Sequence, residues 1–113
     1  MPKLDNYLRM YRKRAGLSQD ELAFLLGARS GTVASRYERF RRTPTLETAL
    51  ACAAIYGVPV KELFAGVSER AERIVAHRAR ILNHRLEKDG RHSDHLLKIL
   101  GEAAPDEETK LAA

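Results

Sequence analysis

Four arginines lie within the seven residues from Arg36 to Arg42. A guanidinium group is always charged and carries a planar fork of N–H donors, which suits it to phosphate oxygens and to the edge of a guanine. Residues 1–66 hold 11 Lys and Arg against 6 Asp and Glu, whereas residues 67–113 hold 9 of each. The net charge of +5 therefore comes entirely from the N-terminal part, which indicates a surface that binds a polyanion.

Other kinds of chemistry are poorly represented in the sequence. His77 and His84 are seven residues apart and His92 and His95 are three apart, but no cysteine or acidic set completes a metal site with them. Cys52 stands alone in a run of small apolar residues, which predicts a buried thiol. The sequence also has no glycine-rich phosphate loop and no nucleophile with a placed base. We therefore expect no enzyme activity, no metal and no cofactor.

Length and composition predict one small domain with an appendage. A chain of 113 residues has room for about one domain, at roughly 100–200 residues per domain. Apolar residues make up 44% of the chain, and no apolar run approaches the ~20 residues of a membrane span. The N-terminus lacks the apolar stretch of about 7–15 residues that a secretory signal contains. These features predict a soluble cytoplasmic protein without a membrane segment.

The spacing of apolar residues and helix caps predicts five short helices in residues 1–66. The apolar positions of the first helix are Leu4, Leu8 and Tyr11. Gly16 follows the end of this helix. Ser18 and Glu21 then form a capping box that begins a second helix, and Gly27 ends it.

The remaining three helices follow from the same signals. A turn at 28–31 leads into a third helix that reaches about Arg39. Thr45 caps a fourth helix that stops at Gly57, and a short fifth helix covers 59–64. Because no segment shows sustained two-residue alternation, we expect an all-α fold.

A set of residues between positions 8 and 64 has the types and spacing of a known family. These residues are Leu8-Arg9, Arg12, Gly16-Leu17-Ser18-Gln19, Glu21-Leu22-Ala23, Leu26-Gly27, Arg36-Tyr37-Glu38, Pro44, Leu46-Glu47-Thr48, Gly57-Val58 and Glu62-Leu63-Phe64. The pattern resembles the Cro and phage-repressor (XRE) family of helix-turn-helix DNA-binding domains. The resemblance implies a five-helix domain whose second motif helix lies in the major groove while the first crosses the backbone.

The resemblance also implies roles for individual residues. The residues expected to face the bases are Gly31, Thr32, Val33, Ser35 and Arg36. The residues expected to contact phosphates are Gln19, Arg29, Ser30, Arg39, Arg41, Arg42 and Thr43. Phosphate contacts add affinity and position the protein, whereas base contacts read the sequence.

A buried ion pair and an apolar core are implied by the same family pattern. Arg12 and Glu38 are expected to form the pair, which joins the first helix to the end of the third. The expected core residues are Leu8, Tyr11, Leu17, Leu22, Leu26, Ala34, Tyr37, Leu46, Leu50, Val58, Leu63 and Phe64.

Two features depart from the family pattern. The stretch from Gly27 to Tyr37 is one residue longer than usual, so Arg29 or Ser30 is an alternative to Gly31 as the first residue to enter the groove. Phe40 stands where the family commonly has a glycine that ends the third helix in a left-handed conformation. We expect Phe40 to contact the C-terminal extension or a second subunit.

The C-terminal part has no family pattern that we recognise, and its spacing of apolar residues alone predicts an amphipathic helical extension over 67–100. A helix over 68–88 ends before Gly90, and Ser93 caps a short final helix. Residues 101–113 are expected to be a frayed tail. The apolar stripe of the extension must be covered by the five-helix unit or by another copy of itself, and we favour the second copy.

Together these features predict a sequence-specific, nucleoid-associated regulator that binds double-stranded DNA. We expect a repressor that acts as a homodimer on a palindromic operator. The alternative is an antitoxin or adaptor module whose residues 67–100 bind a partner protein. The localised positive charge favours DNA, whereas the unexplained amphipathic extension favours a protein partner.

Overall fold

The computed structural model describes residues 3–103, and every regular element in that range is an α-helix. The helices of this range are α1 (Leu8–Arg14), α2 (Gln19–Leu25), α3 (Gly31–Glu38), α4 (Leu46–Tyr56), α5 (Val60–Leu63), α6 (Ala65–Lys88) and α7 (Asp94–Ala103). The predicted all-α fold is confirmed. None of these helices combines the length and the apolar character needed to cross a bilayer.

The chain divides into two compact units, Met1–Ser68 and Glu69–Ala113. The first unit contains α1 to α5 and the first turn of α6. The second unit contains the rest of α6 together with α7. The boundary therefore falls within a helix.

The main core cluster of the first unit contains buried side chains from α1, α3 and α4 and from the end of α5. Leu22 and Ala23 of α2 are also buried but are not members of this cluster. Its buried members are Leu8, Tyr37, Cys52, Leu63 and Phe64. Partly buried residues pack against them, namely Tyr11, Leu26, Val33, Ala49, Tyr56, Val58, Val60 and Val67. Burying a side chain of leucine size stabilises the fold by roughly 1.5–3 kcal/mol. Burial also raises the pKa of the Cys52 thiol to about 11, as expected for an inert cysteine.

The buried face of α4 differs from the predicted one. Leu46 is 72% exposed and Leu50 is 52% exposed, so the expectation that they are core residues is wrong. The helix instead packs Ala49, Cys52 and Tyr56 against the core. These three positions lie on one helical face, but the helix is apolar on nearly all sides, so periodicity did not identify that face.

Helix starts follow the predicted caps. Ser18 Oγ accepts a hydrogen bond from the Glu21 N–H at 3.0 Å, and Glu21 Oε1 accepts one from the Ser18 N–H at 2.8 Å. Thr45 and Ser93 cap α4 and α7 in the same way, by accepting from backbone N–H groups three residues later. Each such cap stabilises its helix by about 1 kcal/mol.

The segment before α1 is not helical, although Leu4 was expected to belong to the first helix. The Tyr7 N–H donates to the Leu63 carbonyl at 2.9 Å, and the Gly66 N–H donates to the Leu4 carbonyl at 2.8 Å. Asn6 Oδ1 accepts from the Leu8 N–H at 3.0 Å and so marks the helix start. Long-range backbone pairing therefore overrides the local helical spacing.

The second unit is a pair of helices with its own small core. Ala79 and Leu86 of α6 pack with Leu96 of α7, and Ile99 and Leu100 lie against them. Both predicted helices are present. The first of them begins earlier than predicted, at Ala65, and α7 extends past Gly101 to Ala103. The rest of the predicted tail, 104–113, lies outside the described residues.

Gly66 provides a test of the contact between the N-terminal segment and the start of α6. A Cβ atom at this position would lie 2.7 Å from the Leu4 carbonyl carbon and 2.8 Å from the Lys3 carbonyl oxygen. Because backbone atoms move less easily than side chains, we expect Gly66→Ala to lower the free energy of unfolding by about 1–3 kcal/mol. Thermal unfolding followed by circular dichroism measures this effect.

Gly101 is the matched control, because nothing lies within 4 Å of a Cβ built there. Gly101→Ala should leave stability unchanged or raise it by up to ~1 kcal/mol through better helix propensity. Equal unfolding temperatures for the two variants would contradict the proposed packing at Gly66.

Candidate nucleic-acid interface

The start of α3 lies close against the start of α2. The Gly31 N–H donates to Asp20 Oδ1 at 2.7 Å, and a Cβ at Gly31 would lie 2.6 Å from the same oxygen. Only glycine fits this approach without displacing Asp20. Gly31 is buried, so its predicted role as a base-facing residue is not supported by the structure, since it presents only backbone.

Three residues of α3, together with the C-cap residue Arg39, make up the outer face of this helix. Thr32, Arg36 and Arg39 are exposed, and Ser35 is partly exposed. These residues recur at the three- and four-residue spacing that places side chains on one side of a helix. Val33 is partly buried and packs against the core, so its predicted base-facing role is also not supported.

A concave surface, here called the polar groove, is bordered by this outer face. Its lining residues are Arg9, Arg12, Ser18, Gln19, Asp20, Ser30, Gly31, Thr32, Ser35, Arg36, Glu38, Arg39 and Arg41. Five of these residues are arginines and two are acidic. Both acidic side chains already accept hydrogen bonds within the protein, from the Gly31 backbone and from Arg12. The polar groove therefore presents excess positive charge to a ligand.

The ion pair between Arg12 and Glu38 lies at the base of the polar groove. Arg12 Nε is 2.6 Å from Glu38 Oε2, and Arg12 Nη2 is 3.2 Å from Glu38 Oε1. The two side chains are only 11% and 2% exposed. The hydrogen bonds that Arg12 donates to Glu38 raise the pKa of Arg12 above its ordinary value, so the guanidinium remains charged.

Further hydrogen bonds connect this ion pair to α2 and to the loop before it. Arg12 Nη1 donates to the Leu17 carbonyl at 2.9 Å, and Gln19 Nε2 donates to Glu38 Oε1 at 3.2 Å. Gln19, predicted as a phosphate contact, thus also holds the pair. Near it, burial raises the pKa of Tyr56 to about 12, and this tyrosine stacks on Tyr11.

The predicted phosphate contacts divide into two groups. Gln19, Ser30, Arg39 and Arg41 line the polar groove. Ser30 also caps α3, since its Oγ accepts from the Thr32 N–H at 3.4 Å. Three others are exposed but are not lining residues, namely Arg29, Arg42 and Thr43. The structure therefore brings together only part of the predicted set.

Two lining residues were missed by sequence reasoning. Asp20 holds the start of α3 across a separation of 11 residues, a distance at which no local pattern exists. Arg9 reaches the polar groove from α1, and only the packing of α1 against α3 brings it there. The sequence placed Arg9 in the family pattern and in the general excess of positive charge, but neither signal assigned it to this surface.

Phe40 ends α3 in the left-handed conformation that the family pattern reserves for glycine. Its φ is +62°, and it is the only non-glycine residue with positive φ in the described part of the chain. The Phe40 N–H bonds to the Tyr37 carbonyl at 3.1 Å, and the Arg41 N–H bonds to the Arg36 carbonyl at 2.9 Å. These two bonds form a Schellman turn.

Comparison with known proteins supports the resemblance found in the sequence. A family model described as a helix-turn-helix domain matches residues 6–65, which is more than half of the chain. No curated protein matches the chain at a significant level. The family match covers every helix that contributes to the polar groove.

The buried ion pair allows a direct test of what holds α3 in place. We expect Arg12→Met to lower the free energy of unfolding by about 3–5 kcal/mol, because it strands a buried carboxylate. The exposed neighbour Lys13 is the control, and Lys13→Met should change stability by less than about 0.5 kcal/mol. The double variant Arg12→Met with Glu38→Leu should recover most of the loss. Urea unfolding measures all three, and equal losses in Arg12→Met and Lys13→Met would contradict the assignment.

Proposed function

The chain belongs to the helix-turn-helix domain family of the Cro and phage-repressor type, and on that premise we propose that it is a repressor that reads an operator in double-stranded DNA through α3. The observation that carries this proposal is the outer face of α3. Polar and cationic side chains stand there, and the polar groove holds five arginines against two acidic residues, one of which is paired with Arg12. We propose that this surface binds DNA, and we assign no catalytic step to it.

The dimensions of α3 suit the major groove. An α-helix with its side chains is about 10–12 Å in diameter, and the major groove of B-DNA is about 12 Å wide, so a helix such as α3 can enter it. In the proposed complex Arg36 donates two hydrogen bonds to a guanine, and Thr32 offers a hydroxyl and a methyl to the bases one helical turn away. Ser35 is a secondary contact, because it is only partly exposed.

In this proposal, the residues predicted to contact phosphates position the protein on the DNA backbone. Arg39 and Arg41 flank the end of α3 and, with Arg9, form a basic border of the polar groove. Arg29, Arg42 and Thr43 contribute outside it as further phosphate contacts. Each neutralised phosphate releases counterions, so the affinity should fall steeply as salt increases.

We further propose that the active species is a homodimer on a palindromic operator. The second unit supports this, because α6 exposes large apolar side chains at Ile74, Val75, Ile81 and Leu82. Seven-residue intervals separate Ile74 from Ile81 and Val75 from Leu82, so the four lie along one stripe of the helix. A dimer formed through this stripe contains two α3 helices, as a palindromic operator with two half-sites requires.

The second candidate function uses the same apolar stripe for a different protein. In that case the chain is an antitoxin or adaptor, and residues 67–100 hold its partner. The exposed stripe favours this candidate as much as it favours a dimer, whereas the polar groove favours DNA. Whether the purified chain associates with itself distinguishes the two candidates.

Self-association is tested by light scattering together with a charged substitution. We expect the chain to be dimeric at micromolar concentration and Ile81→Asp to make it monomeric, because a buried carboxylate in the interface is strongly unfavourable. Phe24→Asp, on the exposed side of α2, is the control and should remain dimeric. A monomeric parent protein would contradict the dimer and favour the adaptor candidate.

DNA reading is tested by fluorescence anisotropy on a site selected from upstream genomic DNA. Arg36→Ala should cost about 1–3 kcal/mol on that site and relax its sequence preference. Arg41→Ala should weaken all sequences alike and lower the salt slope by about one. Arg73→Ala is the control, since Arg73 pairs with Glu69 at 3.0 Å on α6. An Arg36→Ala protein that binds like the control would contradict base reading by α3.

A further inference from the structure

A second concave surface of the first unit, here called the Phe40 cleft, lies beside the end of α3. Its lining includes Leu4 and Tyr7 from the N-terminal segment, Met10 from α1, and Phe40. Leu4, Met10 and Phe40 are all exposed, with Phe40 at 46%. Three apolar side chains therefore form a floor that the first unit leaves open to solvent.

The conformation of Phe40 makes this floor unusual. The same Schellman turn ends α1, α2 and α6 with glycine, at Gly16, Gly27 and Gly90, whose φ values are +73°, +75° and +70°. An L-residue is disfavoured there because its Cβ approaches the carbonyl oxygen. Since the ring is only half-buried, packing within the unit does not account for an aromatic at this position.

The rim of the Phe40 cleft is cationic. Arg9 and Lys13 stand on α1, while Arg39 and Arg41 flank Phe40. The only acidic lining residue is Glu38, which is almost fully buried and already bonded to Arg12. The cleft thus combines an apolar floor with a cationic rim that attracts negative charge.

We propose that the Phe40 cleft binds an amphipathic monocarboxylate, a small molecule with an apolar body and one carboxylate head. The body would cover Leu4, Met10 and Phe40, and the head would accept hydrogen bonds from the arginines of the rim. A DNA phosphate needs the rim but not the floor. A neutral alcohol uses the floor but leaves the rim without a partner, and an amine is repelled by the rim.

Arg9, Arg39 and Arg41 line both the Phe40 cleft and the polar groove. A carboxylate bound to them competes with phosphates for the same guanidinium groups. The ligand therefore weakens DNA binding, and DNA weakens ligand binding by the same factor. This coupling rests on the proposed DNA-binding function, whereas binding in the cleft does not.

The binding test uses octanoate as the probe and the ¹³C-methyl signals of methionine as the readout. The chain has two methionines, Met1 and Met10, and Met10→Leu identifies the second signal. We expect a saturable shift of the Met10 signal with a dissociation constant on the order of 1 mM or tighter. Octylamine, with the same apolar body and the opposite charge, should produce no saturable shift.

Phe40→Gly is the decisive variant, because it removes the aromatic floor and at the same time supplies the residue that the left-handed turn favours. It should fold, and its affinity for octanoate should fall at least tenfold. Phe24→Ala, at an exposed phenylalanine on α2, is the matched control and should bind octanoate like the parent. An unmoved Met10 signal, an equal response to octylamine, or unchanged binding in folded Phe40→Gly would each overturn the site.

The coupling is tested by repeating the DNA titration with saturating octanoate. A several-fold loss of DNA affinity, absent in Phe40→Gly, supports the coupling. An octanoate-bound protein with unchanged DNA affinity overturns it. If the protein binds no DNA at all, the proposed function fails, while the Met10 titration still decides whether the cleft is a carboxylate site.

Discussion

The buried ion pair between Arg12 and Glu38 is the interaction on which the arrangement of the first unit depends. It joins α1 to the end of α3, and Gln19 extends it to α2 through the same carboxylate. A carboxylate that is 2% exposed is stable only while these donors stay in place. Because hydrogen bonds are directional and apolar contacts are not, the bonds to the Glu38 carboxylate set the relative positions of α1, α2 and α3.

The outer face of α3 follows from this constraint. One side of the helix is occupied by Ala34, Tyr37 and Glu38, which are buried. Asn6 adds a hydrogen bond from its side chain to the Tyr37 carbonyl at 3.0 Å, which holds the end of the same helix. These contacts hold one side of the helix against the rest of the unit, so the side chains of Thr32 and Arg36 face outward. A surface that reads bases requires such fixed geometry, because a small displacement would break paired hydrogen bonds.

Local signals in the sequence were sufficient for the helices and their caps. Ser18, Thr45 and Ser93 accept backbone hydrogen bonds as predicted, since capping depends only on residues within one turn. The face of α4 was mispredicted because alanines surround Leu46 and Leu50, so several faces were equally apolar.

Features that depend on contacts between distant parts of the chain could not be predicted from the sequence. The non-helical segment at Leu4 is held by one backbone bond from Gly66 at the start of α6 and one from Tyr7 to Leu63 of α5, both from more than 50 residues away. For the candidate site, the resemblance to a family supplied the outer face of α3. It could not show that Val33 turns to the core or that Gly31 lies against Asp20, because those positions depend on how closely α2 and α3 approach. Nor did it show that Phe40 keeps the backbone conformation of the glycine it replaces.

The central claim is that the polar groove around α3 is the surface that meets DNA. Amide chemical shifts of ¹⁵N-labelled protein, followed during addition of a duplex at moderate salt, test it most directly. The account predicts that the largest changes occur at Thr32, Ser35 and Arg36, with smaller ones at the start of α2 and at 39–41, and little change along the second unit. Changes confined to α6 and α7, or uniform small changes over the whole chain, would contradict it.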